Sequence, residues 1–206
     1  MLDLTQTPIT LALLIVNVVI SIYVLRSRPQ LIASLAFRPE RILRHGEVYR
    51  LVTAGFVHVN GAHLLVNMLT LYFFGPWLEM ALGPIRYLML YFGSELAAHG
   101  LSLIVQRGNV RYSAVGASGA ITGVLFAFCL YAPFRMLYLF FAIPIPAIVF
   151  AIGFVAISLY AMKQRGPDQV GGLAHEAHLG GAIGGVLITG LLDPRAFPLF
   201  LQQIGL

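Results

Sequence analysis

Three short groups of polar residues lie inside apolar stretches of the chain, and each contains a residue type that hydrolytic chemistry uses. The first group is Gly116-Ala117-Ser118-Gly119. A serine hydroxyl becomes an effective nucleophile when a base accepts its proton during the attack. The glycines permit a close approach of backbone, and a serine N–H near a helix N-terminus suits a developing oxyanion. Gly119 and Gly123 also form a GxxxG pair, so tight helix packing is the alternative interpretation.

The second group is the run His175-Glu176-Ala177-His178-Leu179-Gly180-Gly181, whose histidines are candidate bases near neutral pH. A zinc site of the HExxH type is the competing interpretation, but it needs two histidines four positions apart on one helix face. His175 and His178 are only three positions apart, so no metal is predicted. Gly181 and Gly185 again have GxxxG spacing, which predicts tight packing against a helix lined by small residues, such as the one that contains Ser118.

The third group is His63 and Asn67, which are spaced i and i+4 and therefore share one helix face. Both side chains donate hydrogen bonds, as a transition-state oxyanion requires, and one such donor contributes roughly 2.7–4 kcal/mol to catalysis. Hydrogen bonding between helices is the alternative use of this pair.

The composition predicts that membrane helices position these groups. The 206 residues are 59% hydrophobic and 10% charged, whereas soluble domains carry about 25% charged residues. The mean hydropathy is +0.86. The net charge of +5 comes mostly from arginines scattered between apolar runs, which is typical of anchors beside membrane spans and does not indicate a nucleic-acid partner. The single Cys129 lies within an apolar run and is interpreted as a packing residue.

The predicted fold class is an all-α, polytopic membrane protein with a single domain over residues 1–206. The first span is interpreted as retained, not as a signal peptide, because Arg26 and Arg28 follow it and no basic residue precedes it. Residues 26–60 form a structured interfacial loop, and residues 134–143 form an interfacial connection. Six spans are predicted, at 9–25, 62–82, 85–105, 115–131, 146–162 and 173–192.

The order of the spans brings the three polar groups together. They begin the second, fourth and sixth spans, and even-numbered helices enter the membrane from the same face. A nucleophile, a base and two donors therefore share one depth, where water still has access. A channel or small transporter is an alternative, with Glu95 and His99 of the third span as its best residues. Spans four and six become almost wholly apolar beyond their motifs, so we interpret Glu95 and His99 as a local hydrogen-bonded pair.

These motifs resemble the rhomboid family of intramembrane serine proteases in its bacterial, six-span form. The resemblance rests on a histidine four positions before an asparagine, on GxSG and on AHxxG, and it covers residues 9–192. It implies that Ser118 is the nucleophile and His178 the base of a dyad without aspartate. It also implies that His63 and Asn67 form the oxyanion hole, assisted by the Ser118 backbone, with Gly116, Gly119 and Gly181 as supporting residues.

The resemblance gives roles to further residues. Arg50 looks like the arginine of the family's first loop and Glu79 like the acidic residue late in its second span, and both roles are structural. His58 resembles a histidine that supports the site in some members. Many members carry an aromatic residue four positions after the serine, against which the histidine packs. This chain has Thr122 there, with Phe126 one turn further along.

The family implies cytoplasmic termini and an outward-facing site, here in a bacterial inner membrane. Of the 13 basic residues, only Arg86, Arg135 and Arg195 would then lie in cytoplasmic segments, which opposes the positive-inside rule. We follow the family, because a folded first loop pairs its arginines internally or with lipid phosphates.

The implied substrates are membrane proteins whose transmembrane segments unwind, with no cofactor or metal. The fifth span, with Pro144 and Pro146 near its start, is a candidate side gate, although these prolines equally mark a helix start. A catalytically silent rhomboid-like protein that binds membrane clients is the alternative function. Such relatives usually lack the serine or the histidine.

Overall fold

The computed structural model describes residues 4–139, 142–164 and 174–206. The predicted start of the sixth span at residue 173 lies outside these ranges. The described chain is predominantly helical, as predicted. Its helices are α1 (Pro8–Ser27), α2 (Gln30–Leu35), α3 (Pro39–His45), α4 (Arg50–Thr53), α5 (Gly61–Leu82), α6 (Pro84–Gln106), α7 (Ser118–Tyr131), α8 (Ala147–Gln164), α9 (His175–Leu192) and α10 (Ala196–Gln203), with 3-10 turns at Leu4–Gln6 and Ala54–Phe56.

Helix α1 shows how this fold is adapted to lipid. Its buried residues include Thr10, Asn17 and Ser21, whereas Ile15 and Val19 are more than half exposed, at 52% and 60%. Large apolar side chains on the outside and small or polar ones on the inside suit a helix that is surrounded by hydrocarbon. The long apolar helices confirm a polytopic membrane protein.

The helices differ in whether they are long and apolar enough to cross a membrane. Within the described residues, four helices qualify, namely α1, α5, α6 and α8, and a fifth is added if α9 and α10, bent by 110°, count as one span. Helix α7 has only 14 residues, which is about 21 Å at 1.5 Å per residue, against a hydrocarbon core of about 30 Å. Helix α9 opens with polar residues. Six spans therefore remain a prediction.

The fourth predicted span begins later than expected, at Ser118 and not at residue 115. Gly116 has a φ of 115°, a backbone conformation that only glycine adopts readily and that a helix cannot include. The helix therefore starts at the serine itself. Every residue from Gly119 to Leu130 is buried, so α7 is the central helix of the fold.

The loop over residues 26–60 is folded, as predicted, and contains α2, α3 and α4. Phe37 and Ala114 exchange two backbone hydrogen bonds, of 2.9 and 3.1 Å, which attach this loop to the segment before α7. Arg50 is buried and donates to Glu47 at 2.6 Å and to the Ala36 carbonyl at 2.7 Å. Its guanidinium thus donates hydrogen bonds to two separate parts of the loop, and its structural role remains a prediction.

Arg41 and Arg50, two of the arginines of this loop, pair with the same carboxylate. Besides the hydrogen bond from Arg50, Glu47 forms an ion pair with Arg41 at 2.6 Å. The hydrogen bond from Arg50 and the pairing with Arg41 lower the pKa of the Glu47 carboxyl. Internal pairing of loop arginines, which the sequence suggested, is therefore present for these two residues.

The connection after α7, predicted as an interfacial segment, contains two short strands within the otherwise helical fold. Strands β1 (Met136–Leu139) and β2 (Ile143–Pro146) pair antiparallel, with Tyr138 opposite Pro144. Both prolines of this stretch lie in β2, an edge strand of a two-stranded sheet, where a missing donor is tolerated. Helix α8 begins directly after Pro146, so this proline marks the helix start and does not loosen its interior.

The centre of the fold is a glycine-lined contact between α7 and α9. A Cβ on Gly181 would collide with the Gly119 carbonyl, and one on Gly185 would collide with the Gly123 carbonyl. The two GxxxG pairs therefore face each other at backbone contact, as the sequence predicted. Glycine is required here because any side chain would push the two helices apart.

Glu79, near the end of α5, joins that helix to α1. One carboxylate oxygen accepts the Ile9 N–H at 2.9 Å, and the other accepts the Thr10 N–H and hydroxyl, both at 2.7 Å. The first N–H groups of a helix have no acceptor within the helix. Glu79 supplies this acceptor across the helix interface.

Candidate active site

The structure brings Ser118 and His178 into direct contact. Ser118 is the first residue of α7 and His178 lies in the first turn of α9. The Ser118 Oγ is 2.9 Å from the His178 Nε2, which is hydrogen-bonding distance. The backbone contact between Gly119 and Gly181 fixes the two helices next to this pair. The arrangement of a hydroxyl against an imidazole nitrogen permits proton transfer from serine to histidine.

The two histidines of the second motif occupy different positions. The His175 ring lies beside the His178 ring, with the ring centroids 6.4 Å apart, and the contact with Ser118 is made by His178. Glu176 is buried and accepts a hydrogen bond from Gln106 at 3.0 Å. No cluster of three or more His, Cys, Asp or Glu side chains capable of holding a metal occurs among the described residues.

His63 and Asn67 lie on one face of α5 with donors that the described part of the chain leaves unused. Asn67 is 5% exposed, and neither its Nδ2 nor the His63 Nδ1 makes a hydrogen bond within the described residues. The His63 ring packs against Gly116, where a Cβ would collide with it. This contact holds His63 beside the segment that leads into Ser118.

His58 contacts the backbone next to Ser118. Its Nδ1 is 2.7 Å from the Ser21 hydroxyl, which also donates to the Phe56 carbonyl at 3.0 Å. Its Nε2 accepts the Ala117 N–H at 3.5 Å. Burial, together with the neighbouring His63, lowers the pKa of His58 to about 3. The ring is therefore neutral with its proton on Nδ1, and Nε2 remains free to accept.

Glu95 and His99 do not form the hydrogen-bonded pair that the sequence suggested. The Glu95 Oε1 and His99 Nε2 are 3.6 Å apart, too far for a hydrogen bond. Instead, Glu95 accepts the Ala120 N–H at 2.8 Å. The His99 ring stacks on Phe37 at 4.5 Å, and its Nδ1 contacts the Leu51 carbonyl at 2.8 Å. Glu95 therefore caps the helix that begins with Ser118, and His99 attaches the first loop.

A small cavity adjoins Ser118. Its volume is about 20 Å³, which is room for about one water molecule. Its walls include Ser118, Glu95, His99, Gly116 and Ala177. Water therefore has a polar site next to the serine.

The sequence did not decide how the His178 ring is held, with Thr122 four positions after the serine and Phe126 one turn further along. The Thr122 hydroxyl donates to the Ser118 carbonyl at 2.7 Å. The aromatic ring beside His178 belongs to Phe154 of α8, with centroids 6.0 Å apart. Phe126 contacts Phe154 at 5.5 Å and so lies behind that ring.

Two of these residues were missed or misassigned on sequence alone. Glu95 was marked by its charge at membrane depth, a signal that flags a residue without naming its partner. Phe154 carried no signal, because it is one aromatic residue in an apolar helix. Cys129 is buried in the core, in agreement with its prediction as a packing residue.

Comparison with known protein families matches residues 45–195 to the rhomboid domain. The chain belongs to the rhomboid family. The matched region contains His58, His63, Asn67, Ser118 and His178, so it includes all three polar motifs of the sequence.

Individual relatives agree with this assignment. RHOMBOID-like protein 12, mitochondrial, of Arabidopsis thaliana is 30% identical over 154 residues, which cover 68% of this chain and 45% of the relative. Rhomboid protein 1, mitochondrial, of Saccharomyces cerevisiae is 34% identical over 141 residues, 66% of this chain and 40% of the relative. A rhomboid relative from Bacillus subtilis is 35% identical over 91 residues, 44% of this chain and 45% of the relative. The chain thus spans less than half the length of each of these proteins.

Proposed function

We propose that this rhomboid-family protein is an intramembrane serine endopeptidase in which Ser118 is the nucleophile and His178 the general base. The observation that carries the proposal is the 2.9 Å contact between the Ser118 Oγ and the His178 Nε2. Membership of the rhomboid family supports the same chemistry.

In the first step, the Ser118 Oγ attacks the carbonyl carbon of a peptide bond while His178 accepts the hydroxyl proton at Nε2. The carbonyl oxygen becomes an oxyanion. His178 then donates that proton to the leaving amine nitrogen, and the C–N bond breaks. The products are an ester that holds the amino-terminal segment on Ser118 and a released carboxy-terminal segment with a new amino group.

The oxyanion would be stabilised by donors from two helices. The Asn67 Nδ2, a nitrogen of the His63 ring and the Ser118 N–H are the groups we assign to it. As the first residue of α7, Ser118 has an N–H without an acceptor inside the helix. Donors that are fixed before the reaction stabilise developing charge without a reorganisation cost.

The second step is hydrolysis of the ester. Water loses a proton to His178 and attacks the acyl carbon, and the Ser118 Oγ leaves with the proton that His178 returns. We assign this water to the cavity beside Ser118, which has room for about one molecule. The reaction consumes one water per peptide bond and needs no metal or cofactor.

The proposed substrates are transmembrane segments of other membrane proteins. A carbonyl that is hydrogen-bonded within a helix is not accessible to Ser118, so segments with Gly, Pro or small polar residues, which unwind more easily, should be favoured. We further propose a bacterial inner membrane as the location, with the site toward the outer side and a single domain over residues 1–206.

The test is cleavage of a transmembrane reporter by the purified, reconstituted protein. The wild type should release the predicted fragments, and Ser118→Ala and His178→Ala should reduce cleavage to the background of the empty membrane. Ser113→Ala, which alters an exposed serine before the motif, is the matched control and should retain full activity.

A catalytically silent, client-binding protein is the rival outcome. In that case the wild type would bind the reporter without cleaving it, and Ser118→Ala would bind and behave like the wild type. Cleavage at the wild-type rate by Ser118→Ala, in a preparation whose His178→Ala counterpart is inactive, would contradict the assignment of Ser118 as the nucleophile.

A further inference from the structure

The imidazole of His178 is attached to Ser118 by one hydrogen bond, at Nε2. A single bond of this kind fixes a distance but leaves the ring free to rotate about its own side-chain torsions. The base therefore needs a second contact to keep Nε2 directed at the serine. Among the residues that the structure describes, two rings lie beside it, those of Phe154 at 6.0 Å and His175 at 6.4 Å.

Phe154 is the better support of the two. His175 precedes His178 on the same helix by less than one turn, whereas Phe154 is on α8 and approaches across a helix interface. The Phe154 ring is inclined by 38° to the imidazole. It is also held from behind, because Phe126 of α7 and Phe150 of α8 contact it at 5.5 and 5.8 Å.

The helix that carries Phe154 is the least enclosed of the long helices. In the 18-residue apolar stretch of α8, 11% of the residues are buried, compared with 28–44% in the corresponding stretches of α1, α5 and α6. Ile152, Ile157 and Tyr160 of α8 are 65%, 66% and 65% exposed. The contacts of Phe154 with Phe126 and His178 join this exposed helix to α7 and α9.

We propose that Phe154 is a positioning residue for His178, and that the alignment of the base therefore depends on where α8 lies. With α8 seated, the Phe154 ring limits rotation of the imidazole and keeps Nε2 directed at Ser118. When α8 moves outward, the ring leaves with it. The position four residues after the serine does not provide this support, because the Thr122 hydroxyl bonds the Ser118 carbonyl. The functional part of this inference rests on the proposed protease activity.

The contact itself is tested without any activity. Histidine side chains are labelled for NMR in detergent micelles, and the His178 ring signal is assigned from its loss in His178→Ala. A phenyl ring beside the imidazole shifts that signal. We expect Phe154→Leu to move it, because the aromatic ring is removed and an apolar side chain is retained, and Phe154→Tyr to preserve it. An unchanged His178 signal in Phe154→Leu would overturn the inference.

The consequence is tested by kinetics on the reporter and by the rate at which a fluorophosphonate modifies Ser118. We expect Phe154→Leu to lower kcat by about 10- to 100-fold with a smaller change in KM, since a displacement near 1 Å costs up to ~100-fold. Phe154→Tyr should recover most of the rate. The matched control is Tyr160→Ala, an exposed aromatic residue of the same helix, which should leave both rates unchanged.

The outcomes separate the two proposals. A shifted His178 signal together with a wild type that neither cleaves nor is labelled would refute the protease function and leave the contact standing. A wild type that is active, with Phe154→Leu equal to Tyr160→Ala in kcat and labelling rate, would refute the positioning role alone. A change confined to KM would also refute it, because a misaligned base slows the chemical step.

Discussion

The contact between α7 and α9 and the contact of α8 with both of them are built in different ways. In the first, the two helix backbones pack directly against each other, and a Cβ on Gly181 would collide with the Gly119 carbonyl. The second depends on aromatic side chains around Phe154. Every residue from Gly119 to Leu130 is buried, whereas the named buried residues of α8 are Ala147 and Ser158.

This difference separates the two tasks of the site. Backbones in contact have no side-chain torsions through which to yield, so α7 and α9 keep Ser118 and His178 at a fixed distance. Side-chain contacts are broken and re-formed more easily, so we propose α8 as the helix that moves to admit a substrate. The proposed catalytic pair is thus at the backbone contact, and the proposed accessory ring is at the side-chain contact.

The largest effect is expected from a methyl group at the backbone contact. Gly181→Ala should lower reporter cleavage by at least ~100-fold, because the helices must separate and the Ser118–His178 distance grows. Gly153→Ala is the matched change on α8, where a Cβ meets nothing within 4 Å. It should leave cleavage unchanged and raise stability by roughly 0.5–1 kcal/mol through helix propensity. Equal effects of the two substitutions on cleavage would contradict the distinction between the interfaces.

A smaller effect is expected from the donors on α5. Asn67→Ala should lower kcat by about 10²–10³-fold with little change in KM, because an oxyanion donor acts in the transition state. Thr70→Val on the same helix is the control, since the Thr70 hydroxyl bonds the Val66 carbonyl within its own helix. A loss that appears only in KM would remove Asn67 from the oxyanion hole.

The smallest effect on activity is expected at Glu79, which lies outside both interfaces. Glu79→Gln weakens the capping of α1 and should reduce the free energy of unfolding by about 1–3 kcal/mol, with kcat per folded molecule within twofold of the wild type. Glu40→Gln in the first loop, where the partly buried carboxylate contacts only the exposed His45 ring at 3.5 Å among the salt bridges of the described residues, serves as control for the loss of a carboxylate. Thermal unfolding in micelles, with activity measured at a temperature where each variant is folded, distinguishes stability from catalysis.

The sequence predicted most of what depends on local pattern. Apolar runs predicted the long helices, and the spacing of Gly119–Gly123 and Gly181–Gly185 predicted the contact that the structure contains. The motifs that begin α5, α7 and α9 predicted that His63, Ser118 and His178 would lie at one end of the fold. These inferences succeeded because glycine spacing and helix order determine contacts without knowledge of side-chain packing.

Other features depend on contacts between distant residues, which a single sequence does not encode visibly. The start of α7 at Ser118 follows from the φ of Gly116, and residue identity alone did not indicate it. The bond from Ala120 to Glu95 replaced the pair expected from i, i+4 spacing. The hairpin of β1 and β2 lies largely in the stretch that was predicted as an interfacial connection, and the sequence did not indicate its strand pairing.

The most direct measurement is covalent labelling of Ser118 by a fluorophosphonate, located by mass spectrometry of the purified protein. The account predicts one adduct, on Ser118, in the wild type. It also predicts no detectable adduct in His178→Ala under the same conditions, because His178 is the base that contacts the hydroxyl within the described residues. An adduct on Ser118 at the wild-type rate in His178→Ala, or no adduct in a folded wild type, would contradict the proposed pairing of these two side chains.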